Sequence, residues 1–454
     1  MALVDAASSI FSGPSRTFPV RLWDGTVLPP GRDAGVRGQV VLRQPRALAA
    51  LAPFPSESRL AEAYLDGDLE LDGNAIELLE AAARWEGPSG GASLARSLAS
   101  VVAHRVAARA GAGAFARPRA TPMHSVGRDR AAVQHHYDLS DDFYRLFLDE
   151  AMVYSCAFFA TGGEPLEEAQ RAKLDLVCRK LALRPGDRLL DVGCGWGALI
   201  AHAAGRYGAR AQGITLSENQ LAEARRRLSR LGLAGAAAVE AADYRTLAPA
   251  EPFDKVASVG MMEHVGRSRL DAYFGAVHRL LRPGGLFLNH AIADAQPGVN
   301  TVPWASRRQG GFLDRYIFPD GELLPLGEVV AAAERAGFEV RDVESLREHY
   351  DETLVAWVAR LEARWAEAER LVGPRRARAY RLYLASSAVS FRIGKVSVFQ
   401  VLLSRRAPDG RAEGLPRLRG EWYRPGGPTV TVPAEAAGRS SASGPAPAPA
   451  PGRR

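Results

Sequence analysis

The chain has 454 residues, about three times a typical domain, so a catalytic domain with a smaller companion is the expected organisation. Hydrophobic residues make up 47% and charged residues 24%, which suits a packed soluble core and excludes a wholly disordered, collagen-like or disulfide-scaffold chain. The net charge of +7 is compatible with nucleic acid, an anionic membrane surface or an acidic substrate. Only four of the 58 basic residues are lysines, however, so general overuse of arginine accounts for the charge equally well. No apolar run approaches the roughly 20 residues of a membrane-spanning helix. Met1–Gly13 lacks the basic start and long apolar stretch of a secretory signal, so a cytoplasmic protein is expected. Cys156, Cys178 and Cys194 show no CxxC or Cys/His spacing, which argues against a metal site or a disulfide framework.

In chain order, Thr17–Leu22 and Gly38–Arg43 read as short strands. Ala61–Gly73 carries two Asp-Gly turn signals, and Ile76–Arg84 is amphipathic. A basic stretch with Arg96, Arg105, Arg109, Arg117 and Arg119 reads as a helix and linker, closing an accessory region over 1–120. From 121 to 408, Leu189–Val192, Ala209–Ile214, Lys255–Val259 and Gly285–Asn289 are short apolar runs, each leading into a turn or a helical pattern. Such alternation predicts an α/β domain with a mostly parallel sheet. Residues 409–454 are expected to be an extended, largely disordered tail, because the Ala/Pro/Ser/Gly-rich end from Pro433 cannot bury enough apolar surface to order itself.

Leu189-Leu-Asp-Val-Gly-Cys-Gly-Trp-Gly197 is the sharpest local signal. A glycine-dense turn between a strand and a helix lets backbone approach a ligand closely. The pattern alone suits a dinucleotide as well as S-adenosylmethionine (SAM). Three features favour SAM. The third glycine of the dinucleotide fingerprint is missing at its spacing, and Asp191 stands directly before Val192-Gly193. After the next strand, Thr215, Leu216, Ser217 and Gln220 stand where a dinucleotide site would carry a ribose-binding acid. Asp243 and Tyr244 follow a further strand end, at the place where methyltransferases hold adenine. Candidate cofactor residues are therefore Asp191, Gly193, Cys194, Gly195, Gly197, Thr215, Leu216, Ser217, Gln220, Asp243 and Tyr244.

Six further motifs occur in order: His136-Tyr-Asp-Leu-Ser-Asp-Asp-Phe-Tyr144, Tyr154-Ser-Cys-Ala-Phe-Phe159, Met262-Glu-His-Val-Gly266, Tyr316-Ile-Phe-Pro-Asp-Gly-Glu322, His349–Trp357 and Phe391-Arg-Ile-Gly394. With the glycine turn, this string resembles the cyclopropane-fatty-acyl-phospholipid synthases and mycolic acid methyltransferases over about residues 130–405. The resemblance implies a class I SAM-dependent methyltransferase fold with a seven-stranded sheet, and SAM contacts from Tyr137, Tyr154 and Ser155. It further implies alkylation of a cis double bond in a phospholipid acyl chain through a carbocation. A bound bicarbonate would accept the proton, held by Cys156, Glu263, His290, Tyr350 and the backbone of Ile292. Phe158, Phe159, Tyr316 and Phe318 are candidates for an apolar acyl tunnel, whereas His135, His264 and His349 are expected to be structural.

Many relatives carry a cysteine where Ser387 stands, so a covalent cysteine there is not expected in this chain. The resemblance also implies a homodimer at the inner membrane surface with unsaturated phospholipid as partner and no role for nucleic acid. The rival outcomes are a methylene-branched acyl product and, from a different class, a non-catalytic lipid-binding module.

Overall fold

The computed structural model describes residues 2–32, 35–51, 57–87, 139–295, 311–318, 321–410 and 414–424. The basic segment Arg96–Arg119, His135, Tyr137 and the tail beyond Arg424 lie outside the described residues.

The N-terminal part comprises α1 (Ala2–Ile10), β1 (Val20–Arg21), β2 (Val27–Leu28), β3 (Gly38–Leu42), α2 (Leu48–Leu51), α3 (Glu57–Leu65), β4 (Leu69–Gly73) and α4 (Ala75–Ala83). Its strands form a small sheet in the order β2-β1-β3-β4. Both Asp-Gly pairs mark chain reversals. Asp66-Gly67 turns α3 into β4, and Gly73 ends β4 at φ +109°, where a Cβ would lie 2.6 Å from Gly38 Cα. Asn74 then caps α4 by accepting from the N–H groups of Ile76 and Glu77.

The larger part continues with α5 (Asp141–Tyr144), α6 (Leu166–Lys180), β5 (Arg188–Val192), α7 (Ala198–Tyr207), β6 (Arg210–Thr215), α8 (Glu218–Arg230), β7 (Ala237–Ala241) and β8 (Phe253–Val259). It is completed by α9 (Leu270–Leu280), β9 (Leu281–Asp294), α10 (Phe312–Tyr316), α11 (Leu326–Arg335), β10 (Phe338–Ser345), α12 (Arg347–Ala363), α13 (Trp365–Val372), α14 (Pro374–Arg392) and β11 (Val396–Arg405). The seven-stranded sheet has the order β10-β11-β9-β8-β5-β6-β7. Its neighbours are parallel except where β11 runs antiparallel between β9 and β10. This is the class I methyltransferase arrangement.

Strand alternation divides the apolar side chains between two cores. Leu189, Ala257, Leu286 and Leu288 face α6, α7 and α8, whereas Leu190, Val256 and Phe287 face α9 and α11. The run expected at Gly285–Asn289 is longer in the structure. β9 continues to Asp294 because β11 pairs with it from Leu286↔Ser404 to Asp294↔Val396.

The N-terminal sheet and helices α12–α14 share one further core. Arginines of α14 grip the smaller part: Arg378 donates to Tyr64 O at 2.7 Å, Arg381 to Leu71 O at 3.1 Å, and Arg392 to Glu80 at 3.0 Å.

The tail departs from expectation at its beginning. Residues 414–424 dock on the methyltransferase domain, with Trp422 buried beside α6 and Lys180 over its ring at 5.6 Å. Tyr423 stacks on Phe158 at 6.0 Å. The buried Trp422 ring supplies apolar burial that the sequence after Pro433 does not offer.

Candidate active site

Two adjoining cavities lie at the C-terminal ends of the parallel strands, where α/β folds bind ligands. The first, of about 160 Å³, is lined by Tyr154, Ser155, Asp191, Gly193, Cys194, Gly195, Thr215, Leu216, Gln220, Asp243 and Tyr244, all predicted from sequence. Gly193 has φ +80°, and a Cβ there would come within 2.9 Å of Met261, so the backbone cradle depends on glycine.

Asp191 sits on its floor, fully buried, and its Oδ1 has no hydrogen-bond partner. Burial pushes its carboxyl up to about 7, opposed by the charge of Lys173. A cationic ligand in the cleft would satisfy this orphaned oxygen. Thr215 donates to Gln220 Oε1 at 2.9 Å, presenting a hydroxyl and an amide to the cleft wall. Asp243 is held by Arg245 through two side-chain bonds of 2.6 and 2.9 Å.

Two predicted residues have other duties. Gly197 starts α7 with φ +81°, and a Cβ there would lie 3.1 Å from Ala224 Cβ, so it serves helix packing. Ser217 caps α8 by accepting from Gln220 N at 3.3 Å. Neither lines the cleft.

The second cavity, about 50 Å³, has room for a few water-sized groups. It is lined by all five predicted catalytic residues, Cys156, Glu263, His290, Ile292 and Tyr350. Tyr154, Ser155, Gly260 and His264 line both cavities, so the two share a wall. His264, expected to be only structural, is therefore a wall of both. Of the four aromatic tunnel candidates, Phe318 lines the cavity. Phe158 instead stacks on His349 at 4.7 Å, Phe159 packs in the core, and Tyr316 hydrogen-bonds Glu62.

Glu263, His290 and Cys156 are each placed by a neighbour. The Ile292 N–H donates to Glu263 Oε1 at 2.8 Å and so orients the carboxylate. His290 stands opposite Gln400 in the β9–β11 register, and the Gln400 amide nitrogen lies 3.2 Å from His290 Nδ1. Burial pulls the imidazole down to about 3, so it is neutral. With Nδ1 accepting from Gln400, Nε2 carries the hydrogen, and Nε2 has no partner. A buried donor left open beside a small cavity fits an anion.

Burial raises the Cys156 thiol far above its ordinary value, and Sγ donates to Ala157 O at 3.1 Å, so it is no thiolate. The loop carrying Cys156 is pinned by α12, as Ala157 N donates to Thr353 at 3.0 Å and Phe159 N to His349 Nδ1 at 3.2 Å. Arg392 pairs with Asp351 at 2.9 and 3.0 Å, joining the Phe391-Arg-Ile-Gly motif to the one carrying Tyr350.

The family model described as mycolic acid cyclopropane synthetase matches residues 124–401. The chain belongs to this family.

A probable fatty acid methyltransferase from Pseudomonas putida is 38% identical over 89% of this chain and 96% of its own length. The cyclopropane-fatty-acyl-phospholipid synthase of Escherichia coli K12 is 38% identical over 61% of this chain and 68% of its own length. A crystal structure of a mycolic acid cyclopropane synthase complexed with SAH and CTAB superposes with a TM-score of 0.58 at 39% identity, covering 61% of this chain and 98% of that one. The chain is thus a SAM-dependent methyltransferase of the cyclopropane synthase family, acting on lipid acyl chains by cyclopropanation or methylation. The open oxygen of Asp191 and the glycine cradle fit SAM as its cofactor. Among the described residues no helix is long and apolar enough to cross a membrane, and no cluster could hold a metal ion.

Sequence reasoning missed Lys173, Arg245 and Tyr383, which line these cavities. The signal for Lys173 was present, since it falls at helical spacing with Leu166, Ala169, Gln170 and Val177 on the buried face of α6. Tyr383 sits similarly within the buried stretch of α14. Tyr137 lies outside the described residues.

Proposed function

We propose that this protein converts a cis double bond of an unsaturated phospholipid acyl chain into a cyclopropane ring, with bicarbonate in the smaller cavity as proton acceptor. The observation that carries this reading is a small cavity lined by Cys156, Glu263, His290, Ile292 and Tyr350, adjoining the cofactor cleft. SAM, when bound, supplies an electrophilic methyl carbon.

An alkene is a weak nucleophile, so the walls must hold it at near-attack distance. Phe318 and Tyr383, whose rings meet edge-on at 5.5 Å, together with Val398 and Ile292, form an apolar wall suited to this. The π pair forms the new carbon–carbon bond while the sulfur–carbon pair leaves with sulfur, giving a carbocation on the acyl chain. Loss of a proton from the added methyl then closes the ring. Water would capture that cation, which is why the wall must also exclude it.

The acceptor of the proton must itself be held. A neutral His290 offers an Nε2–H, and Glu263, fixed by the Ile292 amide, offers an acceptor for a bicarbonate hydroxyl. Cys156, with its thiol kept protonated, contributes shape and a weak donor rather than a nucleophile. On this reading the protein meets the bilayer peripherally, takes acyl chains from phospholipid and pairs as a homodimer. The N-terminal part and the basic segment Arg96–Arg119 would supply the membrane contact, since basic residues near an anionic surface gain on the order of 1 kcal/mol each.

A second outcome shares the alkylation but ends in a methylene branch, after a hydride shift moves the cation before proton loss. The fatty acid methyltransferase name of the Pseudomonas putida relative, which aligns along most of both chains, favours keeping it. Expression in a bacterium lacking its own cyclopropane synthase separates the possibilities by lipid mass spectrometry. A gain of one CH2 on unsaturated acyl chains supports the alkylation, and resistance of the product to ozonolysis supports the ring. Ozonolytic cleavage at the branch would favour methylene. No gain from soluble, SAM-binding protein would overturn the phospholipid reading.

A further inference from the structure

All four lysines of the chain, Lys173, Lys180, Lys255 and Lys395, are buried, although the chain has 58 basic residues. Arginine takes the exposed positions. Lys180 has an evident structural purpose, pairing with Asp342 and Glu344. Lys173 does not. It lies on α6 beneath the cofactor cleft, 2% exposed, and its Nζ donates to Ser155 Oγ at 2.9 Å. One helical turn earlier, Gln170 donates to the backbone oxygen of the same serine at 2.9 Å. Both oxygens of Ser155, which lines both cavities, are therefore held from one helix face.

We propose that Lys173 is a positioning residue for the cofactor: it fixes the Ser155 hydroxyl and supplies the fixed positive charge that balances Asp191 across the floor of the cleft. The inference rests on the assignment of this cleft to SAM. A buried ammonium is expensive, and the charge it serves must be close by. The groups it feels are Cys156 on the motif loop, Asp149 after α5, Asp191 on β5, and Cys178 on α6 itself. Its charge also reaches His290 on β9. All three cysteine thiols are held neutral by burial. The Asp149 carboxylate is occupied by the N–H groups of Ala151 and Val153 at 3.1 and 2.7 Å. Lys173 therefore serves two acids, Asp149 and Asp191, of which only Asp191, with its unpartnered Oδ1, lines the cleft.

Burial draws Lys173 down to about 8 and pushes Asp191 up to about 7, so the pair is ionised together only in a narrow interval around neutrality. The positive charge opposes protonation of Asp191, so removing it raises the Asp191 pKa further. A protonated Asp191 offers no charge to cationic SAM. Loss of Lys173 must therefore weaken SAM binding most at low and neutral pH and least at high pH.

The test is calorimetric titration of the full chain with SAM from about pH 6 to about pH 9, for wild type, Lys173→Met and Lys173→Gln. The expected result, for a shift of about one unit in Asp191, is a weakening of about tenfold at pH 6 and about fivefold at pH 7 that vanishes toward the alkaline end. Lys173→Gln should show the same shift even if its amide still bonds Ser155, which keeps the test available should the methionine variant fold poorly. Ser155→Ala should weaken binding by a constant factor without moving the midpoint. A Lys173 variant whose affinity is unchanged, or displaced equally at every pH, overturns the proposal. A wild-type chain that does not bind SAM removes the cleft assignment and this inference with it.

Discussion

The cofactor cleft and the reaction cavity share four wall residues yet differ in chemical character. The cleft is charged: Asp191 and Lys173 both line it and interact through their charges, and Asp243 is clamped by Arg245. In the reaction cavity the neutral imidazole of His290, the protonated thiol of Cys156, the phenols of Tyr154, Tyr350 and Tyr383, a second histidine, His264, and apolar walls surround one carboxylate, Glu263. On the proposed function, the difference follows from what each would hold. A cationic cofactor binds best against fixed charges, whereas a transient carbocation needs a dry, unreactive wall and one well-placed route for its proton.

The strongest way to break this comparison is to alter one cavity and look for effects in the other. Glu263→Gln preserves the bond from the Ile292 amide but removes the carboxylate charge. It should lower kcat by about 10²–10⁴-fold while leaving SAM affinity nearly unchanged, as measured by transfer of labelled methyl into lipid beside calorimetry. Asp191→Asn should do the reverse, weakening SAM binding by roughly 10–100-fold through loss of one charge-assisted contact. Trp422→Ala removes a ring buried against α6, which supports both cavities. It should cost about 3 kcal/mol and lower the thermal midpoint by several degrees without preference for either site.

A pH titration of stability sharpens the contrast further. His290, near 3 when folded and about 6.5 when unfolded, contributes stability that is present above pH 6.5 and is lost as pH falls towards 3. Asp191, near 7 when folded against 3.8 unfolded, contributes stability that is full below 3.8 and is lost as pH rises through 7. Thermal midpoints between those limits should therefore fall less steeply on acidification in His290→Gln, and more steeply in Asp191→Asn, than in wild type. The smallest effect is expected at Ser387→Ala. Ser387 lines neither cavity, so its substitution should leave turnover within about twofold.

The same contrast explains what could be recognised in the sequence. The glycine cradle of the cleft is one continuous strand–turn–helix unit, so Asp191, Gly193 and Gly195 announced themselves by local spacing. A mostly parallel α/β sheet followed from apolar runs of strand length, while its seven strands came only through the family resemblance. The reaction cavity is assembled from loops and elements far apart in the chain, from Cys156 to Val398, and no local pattern joins them. Only the ordered string of motifs, through the family resemblance, pointed to those five residues together.

What stayed hidden was of two kinds. Lys173 and Tyr383 stand at core positions of helices, where periodicity marks burial and says nothing of what the buried face touches. Gly197 and Ser217 lie beside true cleft residues but turn towards α8, a distinction that spacing cannot make.

The central claim is that the proton leaves the added methyl group inside a dry cavity. It is tested most directly by incubating the purified protein with SAM bearing a fully deuterated methyl group and vesicles of a cis-unsaturated phospholipid, then weighing the acyl chains. The account predicts that each modified chain gains one carbon and retains two of the three deuterons. Retention of all three, which places proton loss elsewhere on the chain, would contradict it.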